Sequence, residues 1–436
     1  SFATRGGQVR ALVDELGRSD AVVPPEGGGA WLSGIPDAPD APLPKGGLLG
    51  IPANPFQADV RAIIGWRGVW RAYLDRLRPP LTIGHEQSLG RLVSARMGAR
   101  VRDRLVAPVP AGVSSALPED VDVEIAAPGL SAALTRVGSL SGAVLALQGE
   151  RAGKAPGAAV LGIEGGMGRI VEALREELEK FGAEVRTGTR AVRLDHAPEG
   201  WTVTLEESDP DAAEADAPVG DGALDTTAGV SVPDAPLTAT AVVIATAEPS
   251  ARTLLDPHVT GLSDPGAAPE IEIVTLLLDA PELDSAPRGS GVLTVPGSHT
   301  AKALTHSTAK WGWLRRAADG SHVVRVSFGT QGEDAATASL DDDAAARLAL
   351  SEASALLGVP LRPEQLRAAH RARFVQSQPT SLIGAAERRT AVREAVRKTP
   401  RLAVVGAWLS GTGLAQVVPD AVAEADRLRS QLLWDR

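Results

Sequence analysis

The 436-residue sequence contains no cysteine. That excludes disulfides, thiolate catalysis and cysteine-ligated zinc or iron–sulfur centres, and it fits a reducing compartment. No apolar run approaches the roughly 18–20 residues that a membrane-spanning helix needs. No signal peptide is recognisable, although the first residue is not Met. The seven histidines include no H-E-x-x-H pair, so a resident metal is not expected. Neither a G-x-S-x-G elbow nor a G-x-x-x-x-G-K-[ST] loop occurs, which leaves a serine hydrolase or a P-loop NTPase without support. Basic charge is also short: the formal net charge of −10 argues against a general nucleic-acid binder.

What is present has the balance of a globular protein, with 44% hydrophobic and 22% charged residues, in a chain long enough for two or three packed units. The acidic excess is concentrated. Between Glu206 and Asp234 there are nine acidic residues and no basic one, so the rest of the chain is nearly neutral. This stretch is rich in Ala, Asp, Gly and Pro and holds too few large apolar groups to repay its ordering entropy. It reads as a disordered acidic loop over 206–236.

Outside that loop, helix and strand signals alternate. Ile170, Val171, Leu174, Leu178 and Phe181 fall at helical spacing and Gly182 is placed to stop them, predicting an amphipathic helix over Arg169–Phe181. Strands are expected over Ala183–Thr187, Ala191–Leu194, Trp201–Leu205, Ala239–Thr246, Ile271–Leu278, His322–Phe328 and Leu402–Gly406. Asp341–Asp343 suit the positive start of a helix that carries Leu348, Leu356 and Leu357. Residues 53–125 differ, reading as helices over Val60–Leu77 and Leu89–Leu105. Trp66, Trp70 and Tyr73 share one face of the first, for core packing or for an apolar rim towards a flat ligand or a membrane.

Two glycine-rich turns join strands to helices. Gly162-x-x-Gly165-Gly166-x-Gly168 precedes the Arg169 helix, but its spacing is not G-x-G-x-x-G and it reads as a close strand-to-helix crossing. Gly406…Gly411-x-Gly413 precedes a last helix over Ala415–Leu433, whose start near Ala415–Val418 would keep Pro419 in the first turn. Free N–H groups at such a start favour an electron-rich or anionic ligand.

Several separated blocks resemble the flavin-dependent porphyrinogen oxidases of heme biosynthesis, most of all the coproporphyrinogen III and protoporphyrinogen IX oxidases of Gram-positive, actinobacterial type. They are Ser1-Phe2-x-x-Arg5, Pro42-Leu43-Pro44…Gly50-Ile51-Pro52, Trp66-Arg67-Gly68, Ser88-Leu89-Gly90…Arg96-Met97-Gly98, Arg104-Leu105-Val106-Ala107-Pro108 and Gly165-Gly166-Met167. Lys302-Ala303-Leu304-Thr305-x-Ser307-x-x-Lys310-Trp311 and Val405-Gly406-Ala407…Gly411-x-Gly413 complete the set. The sequence departs from the family in two places. The family's opening G-x-G-x-x-G fingerprint does not precede Ser1, and Ser381 and Ala385 stand where the family usually has Tyr and His.

The resemblance implies an α/β (α+β) fold: a discontinuous Rossmann-like FAD domain of the amine-oxidase type, incomplete at its N-terminus, with a mixed-sheet substrate domain and a helical lobe. On this reading 1–12, 155–250 and 385–436 bind FAD, 13–52, 126–154 and 251–384 form the substrate domain, and 53–125 is the lobe. It implies FAD held by Val192, Ala245, Thr246, Trp408, Gly413, Leu414 and Ala415, and Arg5 paired with a substrate propionate. The implied reaction is oxidation of coproporphyrinogen III to coproporphyrin III, six electrons passing to dioxygen with peroxide as product. The cofactor carries that chemistry, and no dedicated acid–base residue is expected. A cytoplasmic location is expected, since the lack of cysteine and the Ala/Arg/Gly-rich composition are compatible with an actinobacterial cytoplasm. The resemblance also leaves room for a peripheral membrane contact, a homodimer and transient contact with other heme-pathway enzymes. A protoporphyrinogen IX oxidase, an amine-oxidase-type flavoenzyme acting on an amine or carotenoid, and a cofactor-free porphyrin-binding protein stay open as alternatives.

Overall fold

The computed structural model describes residues 1–4, 6–78, 86–151, 160–197, 199–207, 236–262, 269–375 and 381–434. Most of the acidic stretch and Arg5 lie outside these. The chain divides into two units: Ser1–Pro24 with Ala158–Ala268 and Gly384–Arg436, and Pro25–Gly157 with Pro269–Ile383. Residues 13–24 and 251–268, expected in the substrate domain, belong to the first unit, and residues 53–125 belong to the second. The physical reason is packing. Val13 joins Phe2, Val9, Ile163 and Ile170 in one core of the first unit, and Leu254, Leu255 and Val259 join Trp201, Ile244, Leu402 and Val404 in another.

The first unit holds three small sheets. Phe2–Ala3 and Val22–Val23 flank Val160–Ile163 on either side, antiparallel to it. Thr189–Ala197, Gly200–Glu207 and Leu237–Ala239 form an antiparallel meander. Val242–Ile244 and Leu402–Val404 form a parallel pair. The strand expected over Ala239–Thr246 is therefore two, because its halves pair with different partners. The strand expected over Ala183–Thr187 does not form, since no described strand lies beside it to complete a ladder. The amphipathic helix is present as Gly168–Lys180. It buries Ile170 and Ala173, while Val171, Leu174, Leu178 and Phe181 are exposed.

The second unit is built on a seven-stranded sheet. Its order is Leu366–Val375, Glu270–Leu278, His322–Phe328, Ala303–His306, Gly291–Thr294, Trp31–Ser33, Ala41–Pro42. Only the pair Gly291–Thr294 and Trp31–Ser33 is parallel. Along His322–Phe328 the residues alternate, with Val324, Val326 and Phe328 buried against the helix Asp342–Leu357. That helix starts where its acidic residues predict: the Asp341 carboxylate accepts a hydrogen bond from the Ala344 amide at 2.7 Å.

The helical part of this unit corrects the sequence reading in detail. The first helix, Ala58–Tyr73, is kinked at Gly65 (φ 66°) and tightens into a 3-10 turn at Leu74–Leu77. The second ends at Met97. Gly98, at φ 94°, breaks it, and Ala99–Val101 and a wider turn over Arg102–Val106 follow. A Cβ at Gly98 would lie 2.6 Å from Cγ of Arg71, so only glycine admits the Arg71 stem at this crossing. Trp66 and Trp70 are more than half exposed, so their shared face is not core. Trp70 instead makes edge-on contacts with Phe56 (5.6 Å) and Tyr73 (6.1 Å), and the Arg61 guanidinium lies 4.8 Å from the Trp66 ring centroid. Among the described residues no single helix is long and apolar enough to cross a membrane.

Candidate functional site

The parallel strands Val242–Ile244 and Leu402–Val404 end at the same edge, and the Val405 amide donates to the Ile244 carbonyl at 2.9 Å. Ala245 and Thr246 leave one strand there and Gly406 leaves the other. Gly406 has φ 134°, and a Cβ on it would meet Cδ1 of Trp408 at 3.3 Å and the Thr246 carbonyl oxygen at 3.8 Å. The glycine thus brings these two chain ends together. Trp408 is buried, yet its Nε1–H has no hydrogen-bond partner. A buried donor of this kind is costly unless something accepts from it.

Gly411 (φ 107°) and Gly413 (φ 104°) then turn the chain into the closing helix, Leu414–Trp434. The amides of Gln416 and Val417 both donate to the Gly413 carbonyl, so the free helix-start amides are those of Leu414 and Ala415. A side chain at Gly413 would meet nothing within 4 Å, so the backbone there is open to a ligand. Leu414, Ala415 and Val418 pack on the core of Phe2, Val13 and Ile163. Pro419 lies in the second turn of this helix, one turn later than expected, because the helix already starts at Leu414.

Val192 sits at an irregularity in the meander. The register passes from Ala191 opposite Leu205 to Arg193 opposite Thr204, leaving Val192 as the extra residue with no ladder partner. Its main chain is thereby released from the sheet. Arg5 lies outside the described residues. The structure thus brings Ala245, Thr246 and Trp408 to one strand edge and sets Gly413, Leu414 and Ala415 at the start of the helix that follows. These groups fit a flavin: exposed main chain at the strand ends, two helix-start amides and an unsatisfied indole N–H.

Sequence reasoning missed what holds that edge in place. Arg393, on the helix Ala385–Arg397, donates to the Val404 carbonyl and forks onto both carboxylate oxygens of Asp420 at 2.7 and 2.8 Å. One turn along, the buried Glu424 accepts from Arg397 and Arg427, with Arg393 at 3.8 Å. Burial pushes the Glu424 carboxyl up, but the bonds from Arg397 and Arg427 outweigh it and hold the group below its ordinary range. The signal was in the sequence as matched spacing: Arg393 and Arg397 are four apart, as are Asp420 and Glu424.

A second polar group lies in the other unit, within the Lys302–Trp311 block. Lys302 is buried, its ammonium donates to the Ser115 hydroxyl, and no carboxylate among the described residues pairs with it. Burial pulls its pKa down to about 8. In the same block the Nε2 of His306 faces Nδ1 of His322 at 3.2 Å, and His322 Nε2 faces the Asp284 carboxylate at 3.1 Å. Burial, then the charges of His322 and Arg315, push His306 down to about 4, so it is neutral at pH 7. No group of three or more His, Asp or Glu suited to a metal ion occurs among the described residues.

Three relatives named coproporphyrinogen III oxidase align along the length of the chain. That of Propionibacterium freudenreichii is 25% identical, covering 96% of this chain and 78% of its own. That of Mycobacterium tuberculosis H37Rv is 26% identical, covering 98% and 83%. That of Bacillus subtilis is 22% identical, covering 99% and 85%. A crystal structure from Exiguobacterium sp. 255-15 that carries the name of a protoporphyrinogen oxidase superposes with a TM-score of 0.78 at 20% identity, over 99% of this chain and 86% of that one. Reduced UDP-galactopyranose mutase superposes with a TM-score of 0.60 at 12% identity, over 96% and 79%. These two likenesses establish the fold. The sequence profile described as flavin containing amine oxidoreductase matches residues 7–428, and the chain belongs to that family of flavin-dependent oxidoreductases.

Proposed function

We propose that this protein oxidises coproporphyrinogen III to coproporphyrin III with FAD, six electrons passing to three molecules of dioxygen with three of hydrogen peroxide formed, as a step of heme biosynthesis. The observation that carries the reading is the agreement of relatives from three genera, each bearing that name and each aligning with at least 96% of the chain. FAD, when bound, supplies hydride acceptance and the reaction with dioxygen.

The residues divide the remaining work. The amides of Leu414 and Ala415 offer a positive helix start to the electron-rich edge of the cofactor. The main chain at Val192, Ala245, Thr246 and Gly413 offers hydrogen-bonding groups without side-chain bulk, and Trp408 donates from its indole N–H. Arg5 matches the family's basic position, and its fork suits a substrate propionate. The Exiguobacterium structure favours a second reading, protoporphyrinogen IX as substrate, which replaces two propionates with vinyl groups.

The test is aerobic turnover by the protein loaded with FAD, followed by porphyrin fluorescence and peroxide release. Faster oxidation of coproporphyrinogen III than of protoporphyrinogen IX is expected. Turnover of an amine with neither porphyrinogen oxidised would overturn the proposal.

A further inference from the structure

Three arginines converge on a cleft in the helical part of the second unit, with no acidic side chain in its lining. The cleft has a volume of about 290 Å³ and is lined by Arg67, Gly68, Arg71, Met97, Ala99 and Arg100. Two of the guanidinium groups are held in place by helix ends. Arg71 donates from Nη1 to the Arg96 carbonyl at 2.9 Å and from Nη2 to the Ala95 carbonyl at 3.0 Å. Arg100 donates from Nη1 to the Ile64 carbonyl at 3.1 Å, where the kink at Gly65 exposes it. Cations at helix C-termini are favourable, so these two arginines have a structural role as well. Arg67 has none: it is exposed and makes no hydrogen bond or ion pair among the described residues.

The cleft is lined at Gly68 by a glycine, and an added Cβ there would clash with Ile64. A Cβ at Gly68 would meet Cβ of Ile64 at 2.8 Å and Cδ of Arg100 at 3.4 Å. From residue 58 to 104 there are ten arginines against four acids, in a chain whose net charge is −10. Those four acids are engaged elsewhere. Asp75 pairs with Arg96 and Asp103 with Arg102, while Asp59 and Glu86 accept from the backbone amides of Val60 and Ser88. Crowding among the cations adds to the cost. After burial, Arg78 pulls the Arg71 pKa down, and Arg100 does the same to Arg104.

We propose that this cleft binds a phosphate group, gripped by Arg67 and Arg100 with Arg71 behind them. Guanidinium forks from three directions suit a tetrahedral dianion better than a single planar carboxylate. The phosphate has two sources of the same chemistry, a free phosphate ion or the headgroup of a phospholipid. The second is included because exposed Trp66 and Trp70 lie on the same helix as Arg67. The site is independent of the porphyrinogen reading.

The test uses the full chain carrying its flavin. Thermal midpoints are recorded in sodium phosphate and in sodium chloride of equal ionic strength, for the wild type, Arg67→Ala and Arg67→Gln. Sedimentation with phosphatidylglycerol and phosphatidylcholine vesicles forms a second arm. Phosphate is expected to raise the wild-type midpoint, with an apparent affinity at least tenfold weaker in both variants, whose midpoints in chloride match the wild type. Arg67-dependent pelleting with phosphatidylglycerol alone also supports the site and identifies the headgroup as its source. A phosphate response that survives both substitutions places the anion elsewhere and overturns the proposal. So does the lack of both a phosphate-specific response and a phosphatidylglycerol-specific one.

Discussion

At Lys302 a cation is buried with a hydroxyl as its partner. The ammonium keeps part of its desolvation cost, which is why its pKa falls to about 8. The sign of the pH effect follows. The unfolded chain holds this proton up to an ordinary lysine pKa of 10.5, the folded one only to about 8. Folding therefore releases a proton between those values, and stability rises with pH across that window. Lys302→Met is expected to raise the thermal midpoint at pH 7 and to flatten the rise between pH 8 and 10.5, read from melts at several pH values. Gly406 is the other single position with a defined requirement. A methyl group at its φ of 134° strains the backbone by about 1–3 kcal/mol. It would also press on the Trp408 ring. Gly406→Ala is expected to lose flavin more readily than the wild type on desalting, measured as the flavin absorbance that remains.

Among the elements, the closing helix is the one fixed by charge as much as by apolar contact. Glu424 is buried among three arginines, and removing its charge takes the carboxylate partner from Arg397 and Arg427, while Arg393 keeps Asp420. Glu424→Gln is expected to destabilise the protein in chemical denaturation, by less than the about 3–5 kcal/mol of a fully buried pair, because Arg397 is half exposed and Arg393 keeps Asp420. Because the carboxyl is held below its ordinary range, its contribution is present above the unfolded carboxylate pKa and is lost as pH falls through the folded one. The acid limb of the stability profile should therefore be shallower in the variant. Much of this was legible in the sequence at the level of elements. The strand-like run His322–Phe328 was located to the residue, and Asp341 marked a real helix start. What failed was whatever depends on a neighbour. Ala183–Thr187 has strand composition but no partner strand, and Leu89–Leu105 has helical spacing but must break at Gly98 to let Arg71 through. Spacing records which face is apolar, and it does not record what that face meets.

The same limit explains the whole molecule. The chain passes between its two units at residues 24/25, 157/158, 268/269 and 383/384. The division differs from the segments 1–12, 155–250 and 385–436 expected from the sequence blocks mainly at 13–24 and 251–268, because Val13 and Leu255 have no sequence mark of the core they enter. Likewise 53–125 has the composition of a separate lobe, yet Gly112 on the helix Pro108–Ser114 lies against Leu293 and Ala303 of the large sheet. The residues proposed to hold the flavin were named only through family blocks, since a bulge at Val192 or an orphaned indole at Trp408 leaves no trace in composition. The second unit has its own polar anchor. Buried Asp75 pairs with Arg96 and accepts from the Leu140 amide, tying three helical segments together. Asp75→Ala is expected to destabilise the protein by about 3–5 kcal/mol in urea unfolding, since it strands a buried guanidinium.

The hub around Glu424 also sets an unequal tolerance to genetic change. One acid answers three bases, so losing any single base still leaves the acid two partners, while losing the acid leaves every base without its shared one. In a saturation library scored for folded protein, position 424 should admit almost nothing, whereas positions 397 and 427 should each accept a broad range of replacements.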